Sequence, residues 1–281
     1  MKLKSLTIEK MFNQLIEKGY SGGTINGAYR TLSKAFNDGV RLDLIPFNPL
    51  LKVKNPRIES QPTSSIPKAH VELLYKEASK NPSDLARLLV GTQLGLRPGE
   101  ISGLQWSDLN ENDLNLKVSR QVQYEPGKGL NYCPPKTLRR DPLPLTPKEL
   151  EILTRHKSHQ ELISIVEFSG IPTWKGDKNI MFPNAHGNLQ NAKSDRIWLQ
   201  RLCDKAGTPR YERYQMRKTA FTSLLLESDI GTVMAYSGHS QSSTLLKHYI
   251  SPETNALRNA INRRESNSVL PELDVREINE L

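Results

Sequence analysis

A polar, proline-punctuated stretch, NPRIESQPTSSIP from Asn55 to Pro67, does most to limit the folds open to this 281-residue chain. Three prolines interrupt any helix, and the polar composition offers little to bury, so the stretch reads as an extended linker between two separately packed pieces. The boundary falls near Ser60. It divides the chain into a front piece over 1–59, a large second piece over 60–264 and a tail over 265–281.

The front piece is helical. Ile8, Met11, Phe12, Leu15 and Ile16 recur at three- and four-residue steps, as do Ile25, Ala28, Tyr29, Leu32, Ala35 and Phe36 after the Ser21-Gly22-Gly23 break. The second helix is expected to start on a Thr24 cap and to run to about Val40, where the prolines of IPFNPL end it. Residues 1–57 hold ten Lys or Arg against four acids, a surplus of six out of the +9 of the whole chain.

The second piece changes class. Helices are expected over 70–79 and 83–94, then Leu114, Leu116 and Val118 alternate with polar residues as a half-buried strand does. Glu125-Pro126-Gly127-Lys128-Gly129 forms a turn, and 130–145 returns as a ragged strand whose four prolines confine it to a sheet edge. Further helices are expected over 146–156, 195–206 closed by Gly207, 216–227, 242–249 and 254–264. The class is therefore mixed α+β, mostly helical, with a small edge sheet. The tail reverses the charge sign, with Glu272, Asp274, Glu277 and Glu280 against Arg276.

Several function classes drop out. No apolar run approaches the ~20 residues of a membrane-spanning helix, and MKLKSLTIEK lacks the apolar stretch of a secretory signal, so a cytoplasmic protein without a membrane partner is expected. Cys133 and Cys203 are too few and too isolated for a disulfide framework or a thiolate metal site, and read as small packed hydrophobes. The basic surplus points to a polyanionic partner such as nucleic acid.

Four segments can carry chemistry. GTQLGLRPGEISGLQWSDL, 91–109, sets Arg97 in a Gly-Leu-Arg-Pro-Gly turn, where its planar fork can bind two oxygens of one phosphate. YCPPKTLRRDPLPL, 132–145, puts Lys136 at the sheet edge with Arg139 and Arg140 behind it. RYQMRKTAFTSLLLE, 213–227, places Tyr214 and Arg217 three apart on a helix, beside a buried stripe of Ala220, Phe221, Leu224 and Leu225. SGHSQSSTLLKHYI, 237–250, holds Gly238-His239 and, ten residues later, Tyr249. Taken singly, each has an ordinary reading: a helix-start arginine paired with Glu100, solvated charge on a hairpin, a basic helix start, a turn and a packed aromatic.

Together and in this order they resemble the tyrosine recombinase (phage integrase) family, whose signature is an arginine in a T-G-L-R-x-x-E box, a hairpin lysine of the P-K-T type, an H-x-x-R box, a Gly-His or Gly-Trp pair and a terminal tyrosine. These match Arg97 with Glu100, Lys136, Tyr214 with Arg217, His239 after Gly238, and Tyr249. The catalytic resemblance spans about 64–262. A looser one over 20–50 is to the second half of the helical core-binding domain, and implies either a truncated form or a small DNA clamp. Two departures stand out: Tyr214 replaces the histidine of the H-x-x-R box, and a phenol is not equivalent to an imidazole as a proton carrier; and the step from His239 to Tyr249 is one residue longer than in many relatives.

The resemblance implies a site-specific recombinase or integrase of a phage or mobile element. It would act on double-stranded DNA bearing specific recombination sites, as a homo-tetramer, with DNA-bending or directionality factors as further partners. Tyr249 would attack a phosphodiester to give a 3′-phosphotyrosine while Arg97 and Arg217 grip the non-bridging oxygens, Lys136 protonates the leaving 5′ oxygen and His239 assists. No metal or cofactor is implied. The tail would dock on a neighbouring subunit or fray. Two alternatives stay open: type IB topoisomerase-like cleavage, against which the RPGE and Gly-His boxes weigh, and a non-catalytic DNA-binding relative, which Tyr214 keeps alive.

Overall fold

A computed structural model describes residues 4–56, 64–136, 141–165, 167–168, 171–172, 174 and 176–237. His239, Tyr249, the helices expected over 242–249 and 254–264, and the acidic tail lie outside the described residues. The chain divides into two compact units, 1–62 and 63–281.

In the first unit, α1 (Ser5–Glu17) and α2 (Gly22–Arg41) close a small core of Ile8, Phe12, Ile25, Leu50 and Val53. The cap of α2 is Ser21, whose Oγ accepts from the backbone of Thr24 at 3.2 Å, so the expected Thr24 cap shifts three residues back. Ser21 keeps an extended backbone that frees its hydroxyl for this bond, while Thr24 already lies inside the first turn. A short 3-10 turn at Pro49–Lys52 folds back over both helices, and the Ser5 hydroxyl donates to the Pro49 carbonyl at 2.7 Å.

The second unit packs α3 (Lys68–Ala78), α4 (Pro82–Thr92) and α5 (Pro98–Gly103) ahead of its strands. Asn81 caps α4 by accepting from the amides of Ser83 and Asp84, a contact worth about 1 kcal/mol. Strands β1 (Leu109–Asn110), β2 (Asn115–Leu116) and β5 (Leu143–Pro144) make one antiparallel sheet in the order β1-β2-β5. Strands β3 (Gln121–Glu125) and β4 (Gly129–Cys133) form a separate hairpin, and β6 (Glu167–Phe168) pairs with β7 (Ile171–Pro172).

The strands are shorter than the alternation implied. Leu114 adopts φ 48° in the turn after β1, so only Asn115 and Leu116 remain to pair. The ragged strand over 130–145 is two strands in two sheets: Pro134 and Pro135 follow β4 and supply no ladder donors, and the chain then joins β2 through Leu143 and Pro144 at an edge.

Helices α6 (Pro147–Ser164), α7 (Ala192–Ala206), α8 (Arg213–Glu227) and α9 (Ile230–Ser237) complete the unit. Helix α6 runs two turns beyond the expected His156, and α9 was not signalled by periodicity. Gly207 closes α7 as expected. One core gathers Leu89, Val90, Leu94, Leu96, Ile101 and Leu116 where α4, α5 and the first sheet meet; a second, with Leu74, Leu88, Leu199, Leu202, Cys203 and Met216, joins α3, α4, α7 and α8. Cys203 is a small hydrophobe in that core, while Cys133 is half-buried. Among the described residues, no helix is long and apolar enough to cross a membrane.

Candidate active site

The loop between α4 and α5 delivers the first site arginine. Gly95 takes φ +62°, and a Cβ there would come within 2.9 Å of the Phe221 ring and 3.1 Å of the Ala220 methyl on α8. Only glycine satisfies both the backbone and this approach. Arg97 follows at the cap of α5, extended at φ −71° and ψ 152°, with Pro98 opening the helix. Glu100, almost fully buried, holds it twice: one carboxylate oxygen accepts from the Arg97 amide at 2.8 Å, the other from its Nη1 at 2.8 Å. The ordinary pairing with Glu100 is therefore present, and it fixes the guanidinium while leaving 26% of the side chain exposed.

Arg217 lies on α8, 2% exposed. Its guanidinium carbon stands 4.5 Å from the centroid of Phe221, one turn further along the helix. Nη1 donates to the carbonyl of Gly95, and Nη2 to that of Ser237 at 3.2 Å. One planar cation thus ties the backbone two residues before Arg97 to that of Ser237, the last described residue of α9. Two of the five matched motifs, far apart in sequence, meet at this group together with Ser237.

The hairpin comes to the same neighbourhood by another route. Helix α5 packs on β3 so closely that a Cβ on Gly103 would meet the Arg120 carbonyl at 2.8 Å. Gln121, the first residue of β3, donates from Nε2 to the Pro134 carbonyl at 2.9 Å, fixing the chain where it leaves β4. Lys136 stands two residues later, exposed. Arg139 and Arg140 lie outside the described residues.

Tyr214, second residue of α8, is 44% exposed, so the face it was expected to share with Arg217 runs from an open rim to a buried interior within one turn. Lys218 beside Arg217 is buried, and desolvation lowers its ammonium below the usual lysine range. His239 and Tyr249 lie outside the described residues. Among those residues, no group of three His, Cys, Asp or Glu is placed to hold a metal ion.

The motifs did not signal Arg87, Asp195 and Arg213, a buried charged cluster below α8. A signal was present: Asp195 shares a helical stripe with Trp198, Leu199, Leu202 and Cys203, and Arg213 one with Met216, Arg217, Ala220 and Phe221. Charges on apolar stripes need partners inside the fold.

Comparison with known proteins bears on the family and the fold. Residues 65–256 match the model of the phage integrase family. A tyrosine recombinase XerC-like protein of Caldanaerobacter subterraneus subsp. tengcongensis is 24% identical over 290 residues, covering 95% of this chain and 70% of that protein. Among solved structures, the Tn1549 transposon integrase in complex with transposon right-end DNA superposes with a TM-score of 0.73 at 22% identity, over 93% of this chain and 85% of that one. A lambda integrase tetramer bound to a Holliday junction reaches 0.57 at 15% identity, over 86% and 64%.

Proposed function

This chain belongs to the phage integrase family, and from that premise we propose that it is a site-specific DNA recombinase that cleaves and rejoins strands through Tyr249. The phenol oxygen attacks the phosphorus as its proton passes to His239, a 3′-phosphotyrosine forms, and the 5′ oxygen leaves with a proton from Lys136. The reverse step by another strand's 5′ hydroxyl reseals DNA without loss of phosphodiester energy. Arg97 and Arg217 stabilise the charge of the five-coordinate transition state, and His239 hydrogen-bonds the same phosphate.

The observation that carries this reading is the Arg217 guanidinium bonded to the Gly95 and Ser237 carbonyls. An arginine held by backbone acceptors on two other segments is oriented before any ligand arrives, as electrostatic catalysis requires. Arg97, pinned by Glu100, keeps an open face through which a phosphate can reach it.

We further propose that the basic first unit forms a clamp on duplex DNA with the second, that the acidic tail docks on a neighbouring subunit, and that the active assembly is a tetramer on two recombination sites. The lambda integrase tetramer on a Holliday junction supports that assembly by likeness of fold. DNA-bending or directionality factors would be additional partners. The test is a suicide substrate nicked beside the cleavage site. A covalent adduct that disappears in Tyr249→Phe is expected; its absence with the intact protein would leave only a DNA-binding relative.

A further inference from the structure

A buried ionic cluster joins the helices that deliver the two site arginines. Asp195 of α7 is fully buried. Its Oδ1 faces Nε of Arg87 on α4 at 3.4 Å, and its Oδ2 pairs with Nη1 of Arg213, the first residue of α8. Arg87 has further contacts: its guanidinium carbon lies 5.6 Å from the Phe182 centroid and 5.2 Å from Trp198, and Nη2 donates to Oε1 of Gln190 at 2.8 Å. The Trp198 indole in turn donates to Asp84 of α4 at 2.6 Å, a second link from α7 to α4. Arg87 and Arg213 are each only 7% exposed, and burial lowers both guanidinium groups below the usual arginine range.

Stability alone is a weak reason for such a cluster. Taking two guanidinium groups and a carboxylate out of water forfeits their hydration, and apolar residues of equal volume commonly serve the fold as well or better. What ions add is selectivity, because a buried carboxylate tolerates few packings that would move it away from its two cations. The connected elements are the relevant ones. Helix α4 runs into Gly95 and Arg97; α8 begins at Arg213, continues with Tyr214 and carries Arg217 one turn later.

We propose that Asp195 is a positioning residue for strand cleavage: by clamping Arg213 against Arg87 it sets the rotation of α8 on α4, so that Arg217 meets the Gly95 carbonyl and faces the Arg97 loop. This rests on the strand-cleavage reading above.

The test replaces the cluster by apolar residues, Arg87→Met, Asp195→Leu and Arg213→Met together. The expected result is a melting temperature equal to or above that of the parent, half-site DNA binding unchanged, and covalent-adduct formation slowed about 10²-fold, as for a misplaced catalytic group. A stable triple variant that cleaves at the parental rate overturns the proposal. A readout independent of DNA is the Nε–H resonance of Arg217 in arginine-labelled protein, expected to shift and broaden in Asp195→Asn while hairpin amides of β3 and β4 stay in place. An unchanged Arg217 resonance also overturns it. If the triple variant does not fold, Asp195→Asn decides by the same resonance and by its cleavage rate below its own melting temperature. Should the parent form no adduct at all, the strand-cleavage reading fails, while the Arg217 resonance still tests the clamp.

Discussion

The two sides of the candidate site are built on opposite plans. Arg97 and Arg217 are supported from several directions by a buried carboxylate, backbone carbonyls and an aromatic ring, and they join α4, α5, α8 and α9. Lys136 stands exposed at the end of a two-stranded hairpin, tied nearby through one Gln121–Pro134 bond. The contrast matches the work each would do. A group that stabilises charge acts best when it need not reorganise at the moment of reaction, whereas a proton donor has to follow the leaving oxygen and be reprotonated from water.

The sharpest way to break this contrast is on the rigid side. Arg217→Ala is expected to slow covalent-adduct formation by ~10²–10³-fold in a single-turnover suicide-substrate assay. Its melting temperature should fall as well, since the Gly95 and Ser237 carbonyls lose a donor inside the fold. Lys136→Ala should cost about 10²-fold in the same assay, the low end for a general acid because water reaches this exposed position. Its melting temperature should stay unchanged. Replacing the bridging 5′ oxygen by sulfur, whose thiolate leaves unaided, should restore the rate of Lys136→Ala and not that of Arg217→Ala. Equal rescue of both variants would erase the distinction.

Smaller effects sharpen it. Gly95→Ala puts a methyl group against Phe221 at a left-handed backbone, so thermal denaturation should reveal a loss of ~1–3 kcal/mol with reduced cleavage. The rigid side also rests on His156 of α6, buried between Trp106 and Phe182 and bonded to the Met181 carbonyl and the Ser83 hydroxyl. Burial lowers its pKa to about 4. The unfolded chain, titrating near 6.5, binds the proton first, so the stability His156 contributes is complete above about pH 6.5 and is lost as pH falls toward 4. Melting curves across that range should fall less steeply for His156→Gln. Least affected should be Tyr214→His, which alters the exposed rim: a change in rate below about tenfold, with a new pH dependence near 6.5.

The sequence made the motif order and the mixed, mostly helical class readable, because the helices announce themselves through stripes such as Leu199, Leu202 and Cys203. Strand lengths were not readable. Leu114, Leu116 and Val118 alternate as a strand does, but a left-handed turn residue leaves two residues to pair, and tertiary contact rather than alternation decides such short ladders. The motifs pointed to Arg97 and Arg217 as candidates, yet what holds them was not legible. The partners of Arg217 are backbone carbonyls, which carry no residue-type signal, and Asp195 reads as an ordinary polar residue until its stripe is traced. Helix α9 is eight residues long and follows α8 after two residues, too short a segment for periodicity to separate.

A crystal structure of the protein on half-site DNA with orthovanadate at the scissile position tests the central claim most directly. The prediction is one vanadium bonded to the Tyr249 oxygen at an apical position, with the Arg97 and Arg217 guanidinium groups both within ~3.2 Å of its equatorial oxygens. Two arginines engaging different phosphates, or a vanadate without Tyr249, would contradict it.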